Sequence, residues 1–243
     1  MGTAVMITSG KGGTGKTSLT AGMASCLAAL GRRVLCVDLD IGLRNLDLTL
    51  GMSDRALMDF TDVMDYRCPL LTAAVEQPEI RNLFLLTAPH SSPGLDQKRF
   101  QAVIEDASEY FDFVLMDSPA GLGEGFQLAM SAADRVIVVS SVDPAALRDA
   151  QRTVAELHEL TQLHLVMNRV QPRLITKLRT SIDSAMDTAG LPLLGVVPED
   201  PSVTLATAAG IPLILATYKG AAPAYLNIAK RLLGQRVPLL RIR

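Results

Sequence analysis

The segment Ser9-Gly10-Lys11-Gly12-Gly13-Thr14-Gly15-Lys16-Thr17 constrains this chain more than any other. It follows the apolar run Ala4–Thr8 and opens a helix-forming stretch at Lys16, so it reads as a tight link between a buried strand and a helix N-terminus. Gly10, Gly15, Lys16 and Thr17 satisfy the spacing G-x-x-x-x-G-K-[ST]. Glycines let successive backbone N–H groups turn inward around phosphate oxygens, and the helix N-terminus adds its partial positive charge. Lys16 is then placed to reach β/γ-phosphates and the Thr17 hydroxyl to ligate Mg²⁺. The candidate cradle is Gly10, Lys11, Gly12, Gly13, Thr14, Gly15, Lys16, Thr17 and Ser18.

Such a loop hangs from the end of a strand, and the rest of the chain supplies more of them. Apolar runs occur at Ala4–Thr8, Val34–Asp38, Leu83–Thr87, Phe113–Asp117, Val136–Ser140, Leu163–Asn168 and Leu194–Val197. Most are continuous rather than alternating, as in strands buried on both faces of a parallel sheet. Between them helices are predicted at Lys16–Leu30, Gln97–Tyr110, Ala145–Leu160, Ile175–Ala189 and Ala222–Leu233, with Gly31 and Gly190 as stops. The expectation is an α/β fold: a mostly parallel twisted sheet with helices on both faces, a Rossmann-like three-layer P-loop NTPase. Residues 1–235 read as one ATPase domain and 236–243 as a short basic and apolar tail.

Composition narrows the function classes. Three Cys exclude a disulfide framework and a four-thiolate zinc site within one chain. Aromatics are 4% with no Trp, which leaves little for stacking bases, and the net charge of -2 does not suit a globally basic nucleic-acid binder. After Asp200 there is no acid, while Lys219, Lys230, Arg231, Arg236, Arg241 and Arg243 give the last 43 residues a charge of +6. That end reads either as a docking surface for an anionic partner or as a solvated last helix. With no leader-like N-terminus and no run of 18 apolar residues, a cytoplasmic protein is expected.

Carboxylates fall at two strand ends. Asp117 closes Phe113-Val114-Leu115-Met116, an acid after apolar residues that holds Mg²⁺ directly or through water when a phosphate loop is present. Asp38 and Asp40 close the second strand, as a support of the metal shell and an orienter of attacking water; sequence does not say which does which. Candidate metal residues are thus Thr17, Asp38 and Asp117. The glycine-bearing stretches after Asp40 and Asp117 read as segments that rearrange with the γ-phosphate.

Lys11-Gly12-Gly13-Thr14-Gly15-Lys16-Thr17 resembles the deviant Walker A loop of the MinD/ParA/Mrp/NifH group of ATPases. Within that group, Asp38–Asp47, Asp117–Gly121 and Gly195–Asp200 resemble the MinD branch, the division-site ATPases. The resemblance implies ATP and Mg²⁺ as ligands, slow hydrolysis without a stimulating partner, and an ATP-dependent homodimer that positions the bacterial septum. It implies catalytic roles for Lys11, which crosses the dimer interface, with Lys16 and Asp40. Asn168, with Arg169 beside it, would bind adenine, and Pro198 to Asp200 would line the base pocket. An amide matches adenine's donor and acceptor, although an Asn after a strand is also an ordinary turn former. Implied partners are a MinC-type inhibitor and a MinE- or DivIVA-type topological factor, with no nucleic acid. Cys26 and Cys36 fall in apolar patterns and read as core, which argues against a cluster-bearing reductase. A ParA-like DNA or cargo positioner is the alternative.

The C-terminus departs from the branch, whose members usually end in a basic amphipathic helix. Here Pro238 interrupts any helix. Val237, Leu239, Leu240 and Ile242 with Arg236, Arg241 and Arg243 read as a weak interfacial anchor, the three cations together worth roughly 3 kcal/mol at an anionic surface. Reversible contact with the cytoplasmic face of the plasma membrane is the expectation.

Overall fold

The computed structural model describes residues 1–53, 55–91, 94–157, 160, 162–240 and 242. Its strands are β1 (Thr3–Thr8), β2 (Val34–Asp38), β3 (Val75–Glu76), β4 (Leu83–Leu86), β5 (Phe113–Asp117), β6 (Arg135–Ser140), β7 (Leu163–Val170) and β8 (Leu193–Pro198). They form one sheet in the order β3-β4-β2-β5-β1-β6-β7-β8. All neighbours are parallel except β3 and β4. The helices are α1 (Lys16–Ala29), α2 (Asn45–Thr49), α3 (Phe60–Met64), α4 (Leu70–Ala73), α5 (Gln97–Tyr110), α6 (Glu124–Ala132), α7 (Pro144–Glu156), α8 (Pro172–Leu178), α9 (Ile182–Ala189), α10 (Pro201–Ala208), α11 (Leu213–Ala216) and α12 (Ala222–Leu232).

The sheet is buried from both sides, as the continuous apolar runs require. Along β1, Ala4 and Met6 join a core with Phe100 of α5, Phe126 of α6 and Leu147 of α7. Val5 and Ile7 point the other way, into a core with Leu19 and Met23 of α1 and Tyr225 of α12. The two helices meet so closely that a Cβ on Gly22 would lie 2.2 Å from the Tyr225 ring. Cys26 and Cys36 are both part of this second core. Burial pushes the Cys26 thiol up to about 12 and raises that of Cys36 as well, so both behave as small apolar residues.

The expected helix Ile175–Ala189 is in fact two. Arg179 adopts left-handed backbone (φ 49°), and Ser181 caps α9 by accepting from the Ser184 amide. No residue of α8 is fully buried, and only Leu174 and Ile175 pack against the core, so packing holds the stretch weakly and the cap chemistry of Ser181 prevails. The expected helix Ala145–Leu160 ends at Glu156, and its positions 158 and 159 lie outside the described residues. Asp143 caps that helix and Pro144 takes its first turn. The short helices α2, α3, α4, α6, α10 and α11 and the edge strand β3 were not evident from patterning.

Because the strands run one way, the ends of β1, β2, β5, β7 and β8 share one edge of the sheet. The order reverses at β1, with β5 on one side and β6 on the other. Ligands of open α/β sheets bind outside the carboxyl ends of the strands at such a reversal.

Candidate nucleotide site

The loop from Ser9 to Lys16 leaves β1 at this reversal and enters α1 through Gly15, whose backbone is left-handed (φ 86°). Gly10 is dictated by proximity, since a Cβ there would lie 2.2 Å from the Asp149 carbonyl oxygen. Among the described residues no side chain caps α1, and no acid occupies its first turn. Among the described residues, no backbone N–H from Gly12 to Ser18 has an acceptor. A run of successive free donors at a helix N-terminus is what a polyphosphate satisfies. The cradle therefore fits a nucleotide's phosphate groups.

The two lysines of the loop differ sharply. Lys16 is buried and donates to the Ser9 hydroxyl at 3.0 Å, while that hydroxyl donates to the Lys11 carbonyl at 2.8 Å. Burial lowers the Lys16 pKa, against the raising effect of Asp117 and then of Asp40. Lys11 is exposed, and its ammonium has no partner among the described residues.

Asp38 and Asp117 stand side by side as register partners on β2 and β5. Both are buried. Asp117 accepts from the hydroxyls of Thr17 and of Thr20, the latter at 3.2 Å, and burial still pushes its carboxyl up to about 6. Asp38 rises to about 7 through burial and then the charge of Asp117. Its two oxygens accept from the amides of Asp40 (2.8 Å) and Leu46 (3.1 Å), which ties the loop after β2 to the strand end. Asp40 is half-buried, and its pKa is raised by burial against the lowering effect of Lys16. The loop after β5 is tied in too, through Gly121 N–H to the Ser9 carbonyl at 3.5 Å.

Thr17, Lys16, Asp40 and Asp117 are thus brought together, with Asp38 behind them. Among the described residues, no group of three or more His, Cys, Asp or Glu side chains stands ready to hold a metal alone. One carboxylate, one hydroxyl and phosphate oxygens suit Mg²⁺, which keeps waters and is rarely caged by protein.

A cavity of about 130 Å³ opens beside α1, lined by Gly15, Ser18, Asn168, Arg169, Pro198 and Asp200 among others. These expected base-pocket residues therefore do converge. Asn168 and Arg169 lie inside β7, which runs on to Val170 past an irregularity in its pairing with β8. Asp200 accepts from Ser202 N at the start of α10 and from Ala221 N. Burial opposes its charge, but those amides outweigh it and hold the carboxyl below its ordinary value.

Sequence reasoning missed Ser9, Thr20 and Tyr225, whereas Glu199 lies within the Pro198–Asp200 segment expected at the pocket and does line it. Ser9 stood in the phosphate loop, so position alone pointed to it. Tyr225, 25 residues beyond Asp200, gave no local signal.

Residues 5–213 match the CobQ/CobB/MinD/ParA nucleotide-binding domain. The chain belongs to this family. It is 38% identical to the septum site-determining protein MinD of Bacillus subtilis, with 98% of this chain and 92% of that protein covered. MinD in a MinC:MinD complex from Aquifex aeolicus superposes with a TM-score of 0.91 at 34% identity, over 98% of both chains. MinD of Pyrococcus horikoshii, solved with Mg-ADP, gives 0.84 at 30% identity over 96% of both chains. A ParA-family ATPase from Chlorobium tepidum shares the fold, with a TM-score of 0.82 over 94% of this chain and 99% of that one, at only 19% identity. The resemblance thus lies with the MinD branch of the family rather than with ParA.

The tail is docked on the body. Arg231 of α12 donates through Nε and Nη2 to the Val237 carbonyl at 2.9 and 2.7 Å, and through Nη1 to the Leu194 carbonyl. Leu240 packs against one core and Ile242 against the other. Arg241 and Arg243 lie outside the described residues. Among the described residues no helix is long and apolar enough to cross a membrane.

Proposed function

We propose that this chain is a Mg²⁺-dependent ATPase (ATP + H₂O to ADP + phosphate) whose ATP-bound form pairs face to face and marks the division site. The observation that carries the reading is the contrast between the two lysines. Lys16 is buried against Ser9 for its own chain's phosphates, whereas Lys11 is exposed and free to serve a second copy. Leu43 and Leu122 support it, since they are exposed on the loops leaving β2 and β5, at the same edge as Lys11.

In this reading Thr17 and Asp117 hold Mg²⁺, and Asp38 supports them by fixing the loop that carries Asp40. Held there, Mg²⁺ would supply positive charge against the phosphate oxygens. Asp40 orients the attacking water, Lys16 binds the β/γ-phosphates, and the cavity lined by Asn168, Arg169, Pro198 and Asp200 takes the base. Residues 1–235 act as the ATPase unit, and 236–243 touch an anionic membrane surface once freed from Arg231. A MinC-type inhibitor is the proposed partner, given the complex formed by the Aquifex relative, together with a MinE- or DivIVA-type topological factor. The site of action is the cytoplasm and the cytoplasmic face of the plasma membrane.

Light scattering tests the reading. With ATP and Mg²⁺ the parent chain doubles its mass, with ADP it does not, and Lys11→Ala binds ATP yet stays monomeric. A Lys11→Ala chain that dimerises normally overturns the role of Lys11, and a parent that never dimerises overturns the switch.

A further inference from the structure

Asn168 is 3% exposed, and both hydrogens of its amide are engaged within the chain. Nδ2 donates to the Thr14 carbonyl at 2.8 Å and to the Gly15 carbonyl at 3.3 Å, while Oδ1 accepts from the Arg169 N–H at 3.0 Å. The approach is tight enough that a Cβ on Gly15 would lie 2.4 Å from Nδ2. Arg169 continues the pattern. Its guanidinium forks onto the Glu199 carboxylate at 2.8 and 3.1 Å, and its Nη1 donates to the Gly13 carbonyl at 2.9 Å. This reach exists because β7 is irregular between Met167 and Val170, with Arg169 at φ 56°. Such bulges re-aim side chains beside functional sites.

Three consecutive carbonyls, those of Gly13, Thr14 and Gly15, are therefore drawn toward β7. A trans peptide is planar, so its N–H points opposite to its C=O. Holding these carbonyls turns the N–H groups of Thr14, Gly15 and Lys16 away from β7, into the mouth of the loop. A short glycine-rich loop otherwise has free choice of peptide orientation, and each flipped peptide would present an oxygen to an anion.

We propose that Asn168 and Arg169 are positioning residues that preset the phosphate-binding amides of Thr14, Gly15 and Lys16 from β7, across β6. This rests on the reading that the loop holds a nucleotide's phosphates. It differs from a base-reading role in what it predicts: the pair acts on the phosphates of any nucleotide, whatever the base.

The test is calorimetric titration of ATP, GTP and inorganic tripolyphosphate, each with Mg²⁺, into the parent chain, Asn168→Asp, Asn168→Ala and Arg169→Ala. Asp is isosteric with Asn but donates nothing to a carbonyl when ionised. Both Asn168 variants weaken all three ligands by the same factor, about tenfold for two lost hydrogen bonds. Their ATP-to-GTP ratio stays that of the parent. Arg169 is exposed and its loss leaves the core intact, so Arg169→Ala guards against an unfolded variant. It weakens all three ligands about fivefold. Unchanged tripolyphosphate affinity in the variants, or a shifted ATP-to-GTP ratio, overturns the clamp and makes the pair base readers. A parent chain that binds neither ATP nor tripolyphosphate overturns the nucleotide reading itself, and the clamp falls with it.

Discussion

Replacing Asp117 with Asn should make the nucleotide-free protein more stable while destroying its activity. Asp117 is 2% exposed, and its carboxyl is pushed from 3.8 up to about 6, by burial in the first place. An acid with a native pKa above its unfolded value binds its extra proton in the native state. The unfolded chain releases it more easily, so stability falls as pH rises through about 4 to about 6 and is level above that window. The displacement is worth about 3 kcal/mol at pH 8 and about half of that at pH 5. The amide introduced by Asp117→Asn would keep one acceptor for the hydroxyls of Thr17 and Thr20, and the weaker bonding gives back about 1 kcal/mol. The net gain is about 2 kcal/mol at pH 8, shrinking to about 0.5 kcal/mol at pH 5.

Urea unfolding of nucleotide-free, chelator-treated protein reads this directly. With a slope of about 2 kcal/mol/M, the midpoint of Asp117→Asn lies about 1 M above the parent at pH 8 and near it at pH 5. The same variant should hydrolyse no ATP. Equal midpoints at pH 8, or an equal gain at both pH values, would refute the argument, because the strain would then not be electrostatic. The neighbouring Asp38, raised to about 7, extends the parent's decline in stability up to that pH.

Lys16→Ala should bind ATP at least about 30-fold more weakly, the worth of a charge-assisted contact, with an unchanged far-UV circular dichroism spectrum. Undiminished binding would remove the loop from the site. Asp40→Ala should still bind ATP but turn it over about 100-fold more slowly in single-turnover assays; failure to bind would place Asp40 in the metal shell. Gly22→Val should wedge α1 from α12 at Tyr225, costing about 2 kcal/mol and lowering the thermal midpoint by roughly 4–8 °C. An unchanged midpoint would mean that Tyr225 moves aside freely.

The legible parts of this protein are those written in local chemistry. A glycine-rich loop between an apolar run and a helix needs no tertiary information, and β1, the loop and α1 stand within two residues of expectation. The acids at the ends of β2 and β5 were legible for the same reason. The rest depends on packing. The helix break at Arg179 follows from the shallow burial of α8, which periodicity does not reveal. The two-residue strand β3 and helices of four or five residues give no pattern long enough to read. Asn168 shows the limit most clearly. Its type suited a base, but its partners, more than 150 positions away in the loop, appear only when β7 lies across β6 from β1.

The sheet order explains why so many constraints meet in one loop. β1 sits between β5 and β6, so the loop that follows it touches material from both halves of the sheet. On the β5 side, Asp117 receives Thr17 and Thr20 of α1, and the Gly121 amide reaches Ser9. On the other side, β7 sends Asn168 and Arg169 across β6 to the carbonyls of Gly13, Thr14 and Gly15. Two buried carboxylates side by side are a local repulsion that no cation in the described chain fully offsets, because Lys16 is held down by burial and turned to Ser9. Unpaired amides in the loop and unpaired negative charge beneath it are therefore two halves of one unmet demand, and an anionic polyphosphate carrying a divalent cation answers both at once.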